Sequence, residues 1–155
     1  MKIGIDTTFM IEASIGEHPG HAAARLEMER RLAAGTVFFL APQVIAEFIH
    51  VITDPRRFEK PLAMPEALEK ARGWWGAREV RHAYPTSDAL DQFHAWMRTF
   101  SLGRKRILDT MLAATYFSHQ VNTILSSNAR DFAVFGCFDV IIPHLSATAR
   151  PSSRT

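Results

Sequence analysis

One cysteine, Cys137, stands in a chain of 155 residues. A lone thiol can neither close an internal disulfide nor build a zinc cluster, so the fold must rest on packing. That usage suits a reducing cytosol. Long apolar runs are missing too, since none approaches the roughly 18–20 residues of a bilayer span. MKIGID has none of the character of a signal peptide. A cytoplasmic protein without membrane contact is therefore expected. Glycine-rich phosphate loops are absent, with neither GxxxxGK[ST] nor GxGxxG present. The absence of HExxH and GxSxG removes the zinc-peptidase and serine-hydrolase classes. Excess charge of one sign is lacking as well. Eighteen Lys and Arg against 16 Asp and Glu leave +2, which permits a nucleic-acid partner without demanding one. No repeat, low-complexity tract or linker divides the chain, and only SATARPSSRT after Leu145 has the composition of a disordered tail. One domain over residues 1–145, followed by a tail at 146–155, is expected.

What remains is an ordinary globular composition, 47% hydrophobic and 22% charged, long enough to bury a core. Lys2 to Ile5 reads as a strand that delivers Asp6, Thr7 and Thr8 at its carboxyl end. Thr7 or Thr8 is placed to cap a helix through Phe9, Met10 and Ile11. In open parallel sheets ligands bind outside the carboxyl ends of the strands, so Asp6 is a candidate metal ligand or nucleophile. The plainer reading makes Asp6 a helix cap. His18 and His21 straddle Pro19-Gly20, so they share no helical face and lack the other ligands of a zinc site.

The chain then alternates helices and strands. His21–Ala34 reads as a helix stopped by Gly35, and Thr36–Leu40 as a buried strand. Pro42 opens a helix whose apolar stripe is Ile45, Phe48, Ile49 and Ile52; Asp54-Pro55 ends it. Glu47 lies beside that stripe. Burying it unpaired is costly, so it belongs at a crevice rim, on a cation, or in the first turn as an acid favouring the dipole. Arg56-Arg57-Phe58 and Lys60 form a basic loop, either a solvated turn or a phosphate contact. Pro65–Ala77 is a helix whose Trp74 and Trp75 serve core, partner surface or base stacking. Glu79–Tyr84 reads as a strand, and Asp88–Phe100 as a helix with Leu90, Phe93, Trp96, Met97 and Phe100 facing the core. Asp88 and Asp91 read as structural.

Arg104-Lys105-Arg106 leads into a helix with Leu108, Met111, Leu112 and Thr115 as its stripe, interrupted by Asp109. The basic tripeptide either pairs with Asp109 or holds a substrate phosphate while Asp109 holds a metal. Thr123–Leu125 is a strand followed by Ser126, Ser127, Asn128 and Asp131, and Phe138–Ile142 is the last strand. This order predicts an α/β fold with a mostly parallel central sheet covered on both faces. Asp6, Glu47, Asp109 and Asp131 each follow a strand end or open a helix near one. Converging there, they would repel one another without a cation. Oxygen-only donors select a hard ion, Mg²⁺ or Mn²⁺, and such an ion supports phosphodiester hydrolysis.

Asp6-Thr7 after the first strand, Glu47 in PQVIAEF, Asp109 in ILDTMLAAT and the segment SSNARDFAVFG resemble the PIN-domain ribonucleases, in particular the VapC-type toxins of bacterial toxin–antitoxin pairs. The likeness runs from Lys2 to about His144. It implies a three-layer α/β/α PIN-like fold, Mg²⁺-dependent endoribonuclease activity, frequent homodimers, and inhibition by a small antitoxin. Asp6, Glu47 and Asp109 match the family's first three acids. Many relatives carry the fourth where this chain has Asn128, and others use the position of Asp131. Thr7 matches a hydroxyl that often sits beside the metal. Asp6, Asp109 and Asp131 would then hold Mg²⁺, with Asn128 ligating or orienting a water. Glu47 would ligate or help deprotonate the attacking water, and Arg104, Lys105 and Arg106 would meet the RNA backbone. Two rivals stand beside this reading. One is a degenerate PIN fold serving as a binding module. The other is a haloacid-dehalogenase-like phosphatase with Asp6 as nucleophile, which usually wants an acid where Thr8 stands.

Overall fold

The computed structural model describes residues 1–144; the tail expected at 146–155 lies outside the described residues. In chain order the elements are β1 (Lys2–Ile5), α1 (Thr7–Ser14), α2 (His21–Ala33), β2 (Val37–Leu40), α3 (Pro42–Ile52), α4 (Met64–Trp75) and β3 (Val80–His82). They continue with α5 (Ser87–Thr99), a 3-10 turn (Arg104–Arg106), α6 (Ile107–Ser118), β4 (Thr123–Leu125), α7 (Arg130–Ala133) and β5 (Asp139–Ile141). The strands form one sheet in the order β3-β2-β1-β4-β5, with every pairing parallel. From β1 the chain steps outward through β2 and β3, then returns to the other side of β1 for β4 and β5. Parallel crossovers keep one hand, so this reversal sends the connecting helices to the opposite face. Two packed groups result, α1 to α4 and α5 to α7. The reversal also opens a crevice between β1 and β4 at their carboxyl ends, where open α/β sheets bind ligands. Asp6 and Ser126 follow those two strands.

The helix α7 is absent from the sequence reading, in which the last two strands are contiguous. Its one turn reverses the chain so that β5 can lie parallel to β4. The residues of β1 show why this strand is central. Ile3 and Ile5 are fully buried, and Gly4 between them faces the ring of Tyr116. A Cβ at Gly4 would lie 2.7 Å from Tyr116 Cδ2. The phenol, itself fully buried, donates a hydrogen bond to the Ile5 carbonyl at 2.5 Å. This side chain from α6 therefore braces the residue immediately before Asp6.

Two apolar stripes differ from their sequence expectation. Leu108 is 68% exposed and Leu90 is 47% exposed. On α6 Leu112 and Thr115 are buried as expected and Met111 packs against the core, but the packed face continues through Ala113 and Tyr116 and leaves out Leu108. On α5 the buried residues are Ala89 and Trp96, and Trp96 stacks on Phe135. The paired tryptophans of α4 pack inward. Trp74 Nε1 donates to Ser14 Oγ at 2.8 Å, and the Trp75 ring stacks on His82 with centroids 3.8 Å apart. His18 and His21 are separately occupied, His18 Nδ1 accepting from the Gly20 amide and His21 Nδ1 donating to the Glu12 carbonyl. Among the described residues no helix is long and apolar enough to cross a membrane.

Candidate active site

Asp6 is held from every side. Its amide joins the β1–β4 ladder by donating to the Leu125 carbonyl. Its side chain caps α1, with Oδ1 accepting from the Thr7 amide at 2.8 Å. The sequence offered Thr7, Thr8 or Asp6 itself for that cap; the structure gives it to Asp6, which has the extended backbone a cap needs. Oδ2 accepts from Thr8 Oγ1 at 2.9 Å and from Ser126 Oγ at 2.6 Å. Ser126 is fully buried, and its hydroxyl also accepts from the Asn128 amide. Only 7% of Asp6 is exposed. Burial pushes its carboxyl up, the donors from Ser126, Thr8 and Thr7 pull it down, and the charge of Glu47 pushes it up again. The net shift is upward, so these hydrogen bonds orient the group without fully repaying its burial.

Asp109 opens α6 and is half-buried. Burial pushes its carboxyl up to about 6, with further upward pushes from the charges of Asp131, Asp6 and Glu47 against a downward pull from Arg106. All four acids singled out in the sequence therefore meet in one electrostatic neighbourhood, although α1, α3, α6 and α7 supply them separately or at their caps. Glu47 is exposed at the rim on α3, where Thr7 Oγ1 donates to its Oε2 at 2.9 Å. Thr7 thus links the carboxylate of α3 to the cap of α1. Among the described residues no lysine or arginine forms an ion pair with Asp6, Glu47 or Asp109.

Asp131 differs in having such a partner. Arg106 Nη1 donates to its Oδ1 at 2.8 Å, Nη2 donates to its backbone carbonyl, and the Asn128 side-chain amide donates to Oδ2. Asn128 is itself exposed. Of the three cations expected to meet RNA, Arg106 is thereby committed to the protein, while Arg104 and Lys105 are exposed. Arg106→Ala should leave Asp131 without its cation and remove the downward pull on Asp109. We expect a loss of about 1.5–3 kcal/mol at neutral pH, the range for a hydrogen bond to a charged group, read as a lower melting temperature. A carboxyl titration by NMR should show Asp109 pushed higher still.

Does this donor set suit a metal? The donors are hard oxygens, and Asp6 and Asp109 carry uncompensated charge, which favours a divalent cation of the Mg²⁺ type. Among the described residues no group of three or more His, Cys, Asp or Glu is arranged to hold an ion as it stands. Reading the sequence assigned no role to Ser126 or Glu12. Ser126 left one signal, a hydroxyl directly after a strand; Glu12 left none beyond being an acid among apolar helix residues.

Compared by sequence, the chain matches no family model and no curated protein. Compared by structure, it is similar to VapC20 of Mycobacterium tuberculosis, a sarcin–ricin loop cleaving toxin, with TM-score 0.63, 18% identity, and 87% of this chain and 95% of that one covered. It is also similar to a chain of VapBC2 from Rickettsia felis, solved bound to a DNA fragment from their promoter, with TM-score 0.66, 13% identity, and 91% and 98% covered. A chain of VapBC-1 from nontypeable Haemophilus influenzae gives TM-score 0.64, 15% identity, and 91% and 97% covered. At these identities the shared property is the fold. The chain has the PIN-like α/β fold of the VapC toxins, as its residues led us to expect.

Proposed function

We propose that this protein is a metal-dependent endoribonuclease, the toxin of a toxin–antitoxin pair, which hydrolyses RNA phosphodiester bonds. The observation that carries the reading is the meeting of Asp6, Glu47, Asp109 and Asp131 at the β1–β4 crevice of a fold shared with VapC20. Asp6 and Asp109 would hold Mg²⁺, with Mn²⁺ as a substitute, and Asp131 would join them if Arg106 released it. When bound, the ion would activate water and stabilise charge developing on the phosphate. Thr8 and Ser126 orient the Asp6 carboxylate toward the crevice. Thr7 holds Glu47 at the rim, where it can take a proton from the attacking water. Exposed Arg104 and Lys105 would position the RNA backbone, and Asn128 would brace Asp131 or orient a water.

The phosphatase alternative weakens here, because Thr8 spends its hydroxyl proton on Asp6 Oδ2. As partners we propose an RNA substrate, a small cognate antitoxin, as in the VapBC2 and VapBC-1 structures, and a second copy of the chain. The test is incubation of purified protein with total RNA in Mg²⁺ or in EDTA. Discrete fragments in Mg²⁺, none in EDTA, and recovery with added Mn²⁺ are expected. A folded protein that cuts nothing with either ion would favour a binding module on the same fold.

A further inference from the structure

The four acids of the crevice are not alike. Asp6, Glu47 and Asp109 have no ion pair with a lysine or arginine among the described residues, whereas Asp131 is gripped by Arg106. The grip closes at two points on one residue. Arg106 Nη1 donates to the Asp131 carboxylate at 2.8 Å, and Nη2 donates to its main-chain carbonyl. A planar guanidinium fork suits such two-point binding, and both donors must let go before Asp131 can turn away. The other carboxylate oxygen accepts from the Asn128 side-chain amide, so each oxygen already has a donor. Little of the pair meets water: 24% of the Arg106 side chain and 20% of the Asp131 side chain are exposed, and Arg106 Nε is shielded altogether.

Packing keeps both partners in place. Arg106 is the N-cap of α6, and its amide donates to the Gly103 carbonyl. Asp131 lies on α7, which packs on α6; the next residue, Phe132, is fully buried, and its ring meets that of Phe138 edge to face. Turning Asp131 toward Asp6 and Asp109 would break a partly buried pair and leave the guanidinium uncompensated, which is costly. The positive charge of Arg106 also acts on Asp109, against the charges of the other acids. A second divalent ion would have to settle against that fixed charge. We propose that Arg106 is the resident cation of the acidic centre: it keeps Asp131 as its own anchor, and the centre takes one divalent ion, on Asp6 and Asp109. The inference rests on the metal part of the function proposed above. It makes Arg106 a positioning residue that sets how many ions the centre holds.

The test counts ions and needs no RNA. Mn²⁺ is titrated into the whole protein, free Mn²⁺ is read by electron paramagnetic resonance, and a melting curve shows that each variant is folded. The wild type should bind one ion per chain. Asp131→Ala should weaken binding by about tenfold at most, the effect of one lost charge, whereas Asp109→Ala, which also loses a ligand, should weaken it about a hundredfold. Arg106→Gln should bind Mn²⁺ about tenfold tighter or take up a second ion. That gain should vanish when Asp131→Ala is added, because the freed Asp131 supplies it. Arg106→Lys, which keeps the charge without the fork, should still bind one ion. An arginine with a merely structural role would give unchanged or weaker binding in Arg106→Gln, since a loosened site gains no affinity. Two ions on the wild type, an Asp131→Ala loss as large as that of Asp109→Ala, or no gain in Arg106→Gln overturns the inference while the metal reading stands. No binding by any folded chain overturns both. If the expected ion counts are found but no RNA is cut in Mg²⁺, the inference holds and the ribonuclease reading fails.

Discussion

Asp109→Ala is expected to lower RNA cleavage on the order of a thousandfold while the protein remains folded. A metal held against a phosphate is worth several kcal/mol of transition-state stabilisation, and about 4 kcal/mol corresponds to that factor. Asp6→Ala should do the same, with an added loss of stability because Thr8, Ser126 and the Thr7 amide all donate to Asp6. A separate measurement would tell a functional acid at Asp109 from a structural one. Its folded carboxyl sits at about 6, above the ordinary value of 3.8, so the folded state binds the extra proton between those values. Protonation of Asp109 therefore favours folding fully below about pH 4, and that contribution is lost as the pH rises through 6. Asp109→Asn, permanently neutral, should melt above the wild type at pH 7–8 without metal, and the two curves should converge near pH 4. Mg²⁺ should raise the wild-type melting temperature more than that of the variant. A variant that melts at or below the wild type at every pH would mean that Asp109 is stabilised by partners, as a structural acid would be.

The second large effect is predicted in the core beneath the site. Tyr116→Ala should cost about 3–5 kcal/mol, the range for removing a large buried aromatic ring, which for a domain of this size lowers the melting temperature by roughly 6–20 °C. Tyr116→Phe keeps the ring and leaves the Ile5 carbonyl without its donor, at about 1 kcal/mol. Gly4→Ala acts on the same contact from the strand side. The new Cβ would stand 2.7 and 2.8 Å from two ring carbons. The phenol is pinned to Ile5, so the strand or the helix must give, at about 1–3 kcal/mol. Because Asp6 follows Ile5 directly, Gly4→Ala should also reduce cleavage more than its thermal shift alone would explain. Parallel loss of activity and stability, with full activity in the folded fraction, would show that β1 transmits no displacement to Asp6.

The order of elements and the acids themselves are properties of the linear pattern. A run such as KIGI followed by Asp-Thr-Thr carries its own strand and its own cap. The helix stripes through Phe48 and Ile52 follow from a 3.6-residue period that no distant residue can alter. Even the parallel sheet is implied, because helices separate all but the last of the strands read from the sequence. Pairings between distant residues obey no such period. Ser126 reaches Asp6 across 120 positions because β4 lies beside β1, and Arg106 reaches Asp131 across 25 because α7 packs on α6. These packings decide that Asp131 has an ion pair while Asp6 and Asp109 have none among the described residues. They also set the limits of the apolar stripes: Leu108 has the right spacing, but α6 packs on the face of Ala113 and Tyr116 and leaves it in solvent. Glu12 is the clearest case. In the sequence it is one acid in an apolar helix, and only the tertiary structure brings Ser127 across 115 positions to donate to its carboxylate. Local periodicity records which face a residue occupies, whereas the free energy of a buried charge depends on what the rest of the chain brings to that face.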